Sequence, residues 1–377
     1  MKLELFKAGH RRQRYQYKSF EPVTINDEWT WDSPAVSFLL ERAARSLGEL
    51  NAFSLIVPDV DLFIGMHVAK EAQTSSRIEG TQTGIDEVLL PEEQIQPEKR
   101  NDWQEVRNYI EAINTAVITL DKLPLSNRLL KETHSILMKG VRGEKKAPGE
   151  FRVSQNWIGG SGLTDAAFIP PHPDSVPDLM GDLESFWHND KITTPHLIRA
   201  AISHYQFETI HPFLDGNGRI GRLFIPLYLI NHGFLAKPSL YLSDFFEHNR
   251  GSYYDALTRV RESNDMLHWI KFFLAGIEET AIKGRRVFNE VLKLRGHAEA
   301  KIFKMGKRSA AAKILLDKLF RRPIVRVSDV EELLSMSTPS SNALIKAFCD
   351  AGILKEMTQR VRKRIFVFAE YLDLFVK

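Results

Sequence analysis

Apolar side chains recur at helical spacing through most of the chain. Two early segments, 36–50 and 62–73, repeat apolar residues every three or four positions, which predicts two amphipathic helices. The second helix can continue to Glu79, because the next residue, Gly80, offers a helix stop. Pro58 and two aspartates stand between the segments, so we expect a turn there.

The same period returns in the middle of the chain. Ser126 is placed to cap one of these helices, since serine side chains accept hydrogen bonds from the first free N–H groups. Thr194 followed by Pro195 predicts the start of another helix, with the threonine as cap and the proline in the first helical position. The predicted helices cover residues 103–120, 126–139, 177–188 and a stretch that ends near Ile210.

Residues 140–172 break the helical pattern. They are rich in glycine and proline, and the runs FRVSQNWI and AAFIP are typical of short strands, so we predict a hairpin with a long loop. After Ile210 the chain forms a glycine-bearing turn and then an apolar helix that extends to Asn231. The sequence therefore predicts a mainly α protein with few strands.

The last part of the chain has a different composition. Residues 283–377 contain 21 Lys and Arg against 10 Asp and Glu, which favours contact with something anionic. Thr338 is predicted to cap the third of three helices, and four cations fall at the tip of a two-stranded wing, an order typical of a winged helix-turn-helix domain. The helices are predicted at 309–321, 328–335 and 338–351, and the wing cations are Arg360, Arg362, Lys363 and Arg364. Winged helices bind DNA, but they also dock proteins or form dimers, and the sequence leaves both alternatives open.

The 377 residues exceed the size at which one core usually keeps growing, so two or three units are expected. We place them at 1–102, an N-terminal helical region, 103–285, a catalytic core, and 286–377, a basic linker helix with the winged-helix domain. No stretch approaches the roughly 20 apolar residues of a membrane span, and the N-terminus lacks the apolar run of a signal peptide. We therefore expect a cytoplasmic protein. Its single cysteine, Cys349, cannot form an internal disulfide.

Residues 211–222, HPFLDGNGRIGR, hold the chemistry of the chain. Gly216, Asn217 and Gly218 allow backbone N–H groups to face outward at the start of a helix, which is a phosphate-binding arrangement. Asp215 beside them is an oxygen ligand suited to Mg²⁺. Arg219 and Arg222 stand three residues apart, so both guanidinium groups can reach one polyphosphate. This pattern predicts a nucleotide site.

His211 lies directly before the glycine turn. An imidazole with a near-neutral pKa can take a proton from an attacking hydroxyl, so His211 is the candidate general base. Phe213 carries no reactive group, and we expect it to anchor the turn in the core.

The segment matches the signature of the Fic family, H-x-F-x-[D/E]-G-N-G-R-x-x-R, at every defined position. Resemblance to this family implies transfer of AMP from ATP, with Mg²⁺, to a Ser, Thr or Tyr hydroxyl of a protein. It implies His211 as base, Asp215 as magnesium ligand, and Arg219 and Arg222 at the β- and γ-phosphates. Gly218 stands where Fic-type kinases have lysine, which favours nucleotidyl transfer. The nucleotide-binding residues implied are Gly216, Asn217, Gly218, Arg219, Ile220, Gly221 and Arg222.

The resemblance extends to two other segments of the core. In the family a β-hairpin flap holds the target backbone by strand addition, and Phe168, Ile169 and Pro170 match its edge in position and type. Asn249 resembles the asparagine that contacts adenine or ribose. The implied fold is a Fic core of helices with a β-hairpin flap, between an N-terminal helical region and a C-terminal winged helix-turn-helix domain.

Residues 75–80, SSRIEG, resemble the inhibitory pattern [S/T]-x-x-x-E-[G/N] of the family. The resemblance implies that Glu79 pairs with Arg222, with Ser75 in the same motif, and occupies the space of the γ-phosphate. A carboxylate bonded to both arms of a guanidinium competes with phosphate for the same donors. We therefore expect an N-terminally inhibited enzyme.

Two alternative functions remain open from the sequence. The same fold can transfer another group, such as UMP or phosphocholine, or remove AMP from a modified protein. The chain can instead be a DNA-binding regulator whose nucleotide site senses ATP, although such a sensor needs no base. We further expect a hydroxyl-bearing protein target, no membrane partner, and a homodimer as in similar proteins.

Overall fold

The computed structural model of the chain describes residues 1–57, 59–358 and 364–376. An antiparallel hairpin opens it, with β1 Gly9–Gln13 paired to β2 Lys18–Pro22. The sequence analysis did not predict this hairpin, because the two strands carry mostly polar and charged residues and show little apolar alternation.

Two long helices follow, α1 Pro34–Ile56 and α2 Asp61–Ile78. Both predicted early helices are confirmed, and the first is longer than its apolar pattern suggested. Glu79 caps the end of α2, and Gly80 has a backbone φ of 101°, a conformation that favours glycine. The predicted helix stop is therefore in place. A short helix, α3 Ile85–Leu89, leads from this end into the core.

The core consists of helices around a buried centre. Every residue of α7 after its first is buried, and α8 packs beside it with almost the same degree of burial. The indole of Trp269 on the long helix α11 donates to the carbonyl of Ala201 on α7, 2.8 Å away, and so fixes α11 against the centre. The helices are α4 Arg100–Leu120, α5 Asn127–Leu137, α6 Val176–Trp187, α7 His196–Ile210, α8 Asn217–Asn231, α9 Ser243–His248, α10 Arg250–Ser263 and α11 Met266–Phe303.

Two predicted helix caps can be compared with the structure. Ser126 caps α5 as predicted, with its hydroxyl accepting from the N–H of Leu129 at 3.3 Å. The cap assigned to Thr194 was wrong, because its hydroxyl accepts from the backbone N–H of Trp29 at 2.8 Å. Pro195 has extended backbone and α7 begins one residue later. A contact with a distant part of the chain thus replaced the local cap.

The predicted hairpin within 140–172 is reduced to one antiparallel bridge, between Ile158 and Phe168. Other groups satisfy the neighbouring backbone. The carbonyl of Ile169 accepts from the N–H of Phe20 in β2 at 2.9 Å, and Gln155 donates its side-chain amide to the carbonyl of Pro170 at 3.0 Å. Because proline has no N–H, the segment cannot continue as a regular strand pair.

The described residues of the C-terminal part form four helices and a small sheet. The predicted order of elements is present, but the predicted cap was wrong by one residue: Ser337 precedes the third helix and Thr338 is its first residue. The strands lie in the order β3-β5-β4. The elements are α12 Ser309–Arg321, β3 Ile324–Arg326, α13 Val327–Leu334, α14 Thr338–Asp350, β4 Lys355–Glu356, β5 Ile365–Val367 and α15 Ala369–Val376.

The assignment of this part as a winged helix stays a prediction. Arg360, Arg362 and Lys363 of the predicted wing tip lie outside the described residues. Arg364 is described, and it donates to the side-chain oxygen of Asn342 at 2.8 Å. The final helix, α15, was not predicted and packs on α11 and α2.

The three-part division of the chain also stays a prediction. Helices α4 and α11 run without interruption across the predicted boundaries after residues 102 and 285. In the part of the chain that the structure describes, no helix has the length and apolar character needed to cross a membrane.

We predict that Ser126→Ala lowers the free energy of unfolding by about 1 kcal/mol, because α5 loses its cap hydrogen bond. Calorimetric melting of the two proteins measures the change. Ser33→Ala is the matched control, since Ser33 precedes α1 without a side-chain cap bond. Equal losses in both variants would contradict the assignment of the cap.

Candidate active site

A sharp turn joins α7 to α8 and carries the motif. His211 ends α7 in left-handed backbone with φ 52°, and Gly216 precedes α8 with φ 74°. A Cβ on Gly216 would lie 2.9 Å from the sulfur of Met138, so the turn leaves no space for a side chain there. The first N–H groups of a helix have no intrahelical acceptors, and those of α8 begin at Asn217.

Phe213 anchors this turn as expected. Its ring is fully buried and stacks on His134 with 3.9 Å between ring centroids. The side chain of Asn217 makes two hydrogen bonds to the backbone of Phe213, each of 2.8 Å, and so closes the turn on itself. The polar side chain of the motif asparagine therefore holds the turn, while its backbone starts the helix.

The structure brings Glu79 and Ser75 from α2 onto Arg222 from α8. Arg222 donates to the Glu79 carboxylate at 2.6 Å, to the Ser75 hydroxyl at 2.9 Å and to the Ser75 carbonyl at 2.9 Å. Only 2% of the Arg222 side chain is exposed, against 36% for Glu79. Burial by itself would raise the pKa of Glu79, but the charge and hydrogen bond of Arg222 lower that pKa below its ordinary value.

Gly218 makes this pairing sterically possible. A Cβ at this position would collide with the Glu79 carboxylate and crowd the guanidinium of Arg222. Any side chain at position 218 would therefore compete with Glu79 for space.

The other charged residues of the motif are also paired. Arg219 donates to Glu105 of α4 at 3.2 Å, and Asp215 accepts from Lys146 at 2.9 Å. Arg142 donates to the second oxygen of Glu105 at 2.9 Å. The sequence analysis missed Glu105, Arg142 and Lys146, because no local pattern connects them with the motif.

His211 is held through its backbone. Its carbonyl accepts from the guanidinium of Arg152 at 2.9 Å and from the amide of Asn156 at 3.1 Å. The ring Nδ1 is buried without a hydrogen-bond partner among the described residues. Burial, together with the positive charges of Arg261 and Arg152, lowers the pKa of His211 to about 4, so the imidazole is neutral at physiological pH.

A second buried carboxyl lies one turn before His211. Burial raises the pKa of Glu208 to about 7, and its Oε1 has no partner within the described part of the chain. A Cβ on Gly221 would collide with this carboxyl, so the motif glycine gives it room against α8. Ile220, the residue before, is buried in the core and presents no polar group.

The three predicted flap residues lie next to this centre. Phe168 and Ile169 are 8% and 9% exposed, and the guanidinium of Arg261 lies 4.1 Å from the ring centroid of Phe168. Pro170 follows in the same extended segment. Their role in holding a target stays a prediction.

The contact of Asn249 with adenine or ribose stays a prediction. Asn249 lies between α9 and α10, donates to the carbonyl of Phe245 at 3.0 Å, and lines a different cavity that none of residues 211–222 lines. Tyr253 and Tyr254, on α10, are both close enough to Glu79 and Arg222 for their charges to affect the pKa of each hydroxyl, which burial raises.

The residues present fit a magnesium ion carried by a nucleotide. No group of three or more His, Cys, Asp or Glu side chains that could hold a metal occurs in residues 1–57, 59–358 and 364–376. Asp215, with 33% of its side chain exposed, offers one carboxylate. Mg²⁺ in nucleotide sites is commonly bound by one or two carboxylates, with phosphates and water as its other ligands.

Comparisons with known proteins identify the fold and domains. The Fic/DOC family N-terminal model matches residues 38–118 and the Fic/DOC family model matches residues 124–229, together about half of the chain. A Fic family protein from Desulfovibrio desulfuricans G20 superposes with a TM-score of 0.55 at 20% identity, covering 89% of this chain and 96% of that one. Fic-1 of C. elegans gives a TM-score of 0.51 at 20% identity, with 69% and 75% covered.

The fold and the motif define a protein built on a Fic core. The chain is a Fic-domain protein with the N-terminal domain of that family.

Curated relatives share the central part of the chain. The protein adenylyltransferase Fic of Drosophila erecta is 30% identical over 169 residues, which are 45% of this chain and 30% of the relative. That of Aedes aegypti is 33% identical over 133 residues, 35% of this chain and 24% of the relative. The match thus spans less than a third of either relative.

We predict that Phe213→Ala destabilises the protein by about 3–5 kcal/mol, since a fully buried ring is lost from beneath the turn. Thermal melting followed by circular dichroism measures the loss. Phe38→Ala removes a ring that is 58% exposed and should have little effect. Similar melting temperatures for Phe213→Ala and wild type would show that the turn does not depend on this anchor.

Proposed function

We propose that the protein transfers AMP from ATP to hydroxyl groups of target proteins and of itself, and that Glu79 inhibits this transfer. The observation that carries the proposal is the contact of Glu79 with Arg222 directly beside the neutral His211 and the start of α8. The names of the curated relatives, all protein adenylyltransferases, support the same activity.

The triphosphate of ATP binds at the N-terminus of α8. Free N–H groups and the positive end of the helix dipole attract phosphate, and Arg219 and Arg222 supply two buried cations. Bound through Asp215, Mg²⁺ would neutralise charge on the phosphates and on the departing pyrophosphate. Lys146, which pairs with Asp215 at 2.9 Å, would yield this carboxylate to the ion.

The reaction is a nucleophilic substitution at the α-phosphorus. The target hydroxyl oxygen forms the new bond to this phosphorus, and the bond to the oxygen that bridges to the β-phosphate breaks, so pyrophosphate leaves. His211 accepts the proton of the hydroxyl. Arg152 and Asn156 hold the backbone of His211, which fixes the ring relative to the phosphates.

Inhibition follows from competition for one guanidinium. Arg222 has its donors directed to Glu79 and Ser75, so a γ-phosphate can bind there only after Glu79 leaves. Because 36% of the Glu79 side chain is exposed at the end of α2, a change at this helix end can release it without unfolding the core.

Target binding and location extend the proposal. Phe168, Ile169 and Pro170 hold the target segment next to His211, as the resemblance to the family implies. The basic part, residues 283–377, binds DNA or a protein partner, and the protein acts in the cytoplasm as a homodimer. The excess of Lys and Arg in that part supports an anionic partner.

We predict that Glu79→Gly raises AMP transfer roughly ten- to hundredfold, because Arg222 becomes available to the γ-phosphate and each factor of ten corresponds to about 1.4 kcal/mol. The measurement is transfer of label from α-³²P-ATP to protein in a cell lysate. UTP labelled in the same position tests whether another nucleotide is preferred.

Two variants control this experiment. Glu79→Gly/His211→Ala should lose transfer by roughly 10²–10⁴-fold relative to Glu79→Gly, the usual contribution of a general base. Glu49→Gly changes a carboxylate on the exposed side of α1 and should behave as wild type. Equal labelling by wild type and Glu79→Gly would remove the inhibitory role of Glu79.

We further predict that transfer by Glu79→Gly stays constant from about pH 8 down to about pH 5.5. The base acts in its neutral form, which predominates above its pKa, and burial lowers the pKa of His211 to about 4. Initial rates across this range, with circular dichroism to confirm folding, provide the test. A loss of activity centred near pH 6.5 would contradict the lowered pKa.

A further inference from the structure

A second cavity lies along the inhibitory helix α2, beside His67, Lys70 and Glu71. Its volume is about 400 Å³, and helices α2, α9, α11 and α15 form its wall. None of residues 211–222 lines it, and neither do Ser75 and Glu79. The cavity is therefore separate from the candidate active site, although both sites share α2.

Polar atoms without partners are concentrated on this wall. Glu71, Ser239 and Tyr241 are 3%, 3% and 8% exposed, and each has a side-chain oxygen without a hydrogen-bond partner among the described residues. The Nε2 of His67 is a fourth such atom. Buried polar atoms are normally paired, so four on one wall indicate a ligand site.

The charges on the wall have both signs. Lys283 pairs closely with Asp244 at 2.7 Å, which leaves Lys70 with a loose contact of 3.6 Å to the same carboxylate. Burial is the main cause of a lowered pKa at Lys70, so this ammonium group gains from a further anion. Glu279 has no ion-pair partner in the described part of the chain. One available cation and one available anion therefore line the same cavity.

The rest of the lining is apolar. Phe245, Val287, Leu374 and Phe375 contribute aromatic and aliphatic side chains, the last two from the C-terminal helix α15. Cavities of this size with an apolar wall and a few polar groups are typical of small-molecule sites.

We propose that this cavity binds a small zwitterion with an apolar side chain, that is, an apolar amino acid or a dipeptide of such residues. The ligand carboxylate pairs with Lys70, its ammonium group pairs with Glu279, and its side chain packs on Phe245 and Phe375. The hydroxyls of Ser239 and Tyr241 are within the same wall and supply hydrogen bonds.

The cavity is connected to the inhibitory residue Glu79 through one row of side chains on α2. His67, Glu71, Ser75 and Glu79 are four residues apart, so they lie along one face of the helix. The first two line the cavity, and the last two bind Arg222. Glu71 also accepts from Tyr109 at 2.9 Å and from Ser243 at 2.5 Å, which fixes this face to α4 and α9.

Occupation of the cavity thus acts on the face that carries Glu79. A ligand that bonds to the free oxygen of Glu71 shifts α2 and withdraws Glu79 from Arg222. This regulatory part rests on the proposed AMP transfer, whereas binding in the cavity does not.

The first test measures binding to the full chain. Melting is followed with each of the twenty free amino acids and with the dipeptides Leu-Leu and Phe-Phe. We expect apolar zwitterions to raise Tm by about 2 °C at tenfold excess over Kd, without an effect of N-acetylated and amidated forms. Whichever class raises Tm at the lower concentration, free amino acids or dipeptides, is the class of the ligand. If no zwitterion raises Tm, the proposal is overturned.

Substitutions then locate the site. Lys70→Met and Glu279→Gln should each weaken binding about tenfold or more in titration calorimetry, since each removes one charged partner of the ligand. Lys293→Met and Glu290→Gln are matched controls, because these residues pair with each other at 2.9 Å on the exposed side of the same long helix. Equal affinity of all four variants would place the ligand elsewhere and overturn the proposal.

Activity separates binding from regulation. The ligand should raise label transfer several-fold in wild type. It should leave label transfer by Glu79→Gly unchanged, because that variant lacks the inhibitory carboxylate. Binding without any change in wild type would overturn the coupling through α2. Failure of Glu79→Gly itself to transfer label would count against the proposed function, and the binding measurements would still test the cavity.

Discussion

The buried guanidinium of Arg222 is the constraint on which the active site depends. A cation with 2% of its side chain exposed needs nearby acceptors, because an unpaired buried charge costs several kcal/mol. Glu79 and Ser75 supply these acceptors in the resting protein. A nucleotide phosphate can supply them equally well, so one cation serves both to hold α2 on the core and, on the proposed function, to bind substrate.

The same principle applies to the rest of the motif. Arg219 is neutralised by Glu105, and Asp215 by Lys146, so each charged group that the resemblance assigns to the nucleotide has a partner from another element. The resting site is electrostatically complete without substrate. On the proposed function, bound ATP exchanges these internal partners for its phosphates, which makes affinity for ATP sensitive to anything that weakens the internal pairs.

Helix α2 connects the partners of Arg222 to the rest of the molecule. Ser75 and Glu79 near its C-terminal end bind Arg222. His67 and Glu71, on the same face, line the cavity together with residues of α11 and α15. The C-terminal part contacts the same helix, because α12 and α15 both pack on α2. A single rigid helix is a direct route by which a small ligand or the basic C-terminal part can affect the catalytic turn.

The sequence by itself determined the helices and the chemistry of the turn. Apolar periodicity located α2, α5 and α8, and the resemblance of 75–80 and 211–222 to two Fic motifs implied the contact that the structure shows between Glu79 and Arg222. Periodicity and capping are local, so they can be read along the chain. Tertiary structure alone decided the pairing of Glu105 with Arg219 and the loss of the hairpin near Phe168. These outcomes depend on which distant parts of the chain packing brings together. The backbone N–H of Trp29, for example, donates to the hydroxyl of Thr194, and no local sequence pattern predicts such a contact.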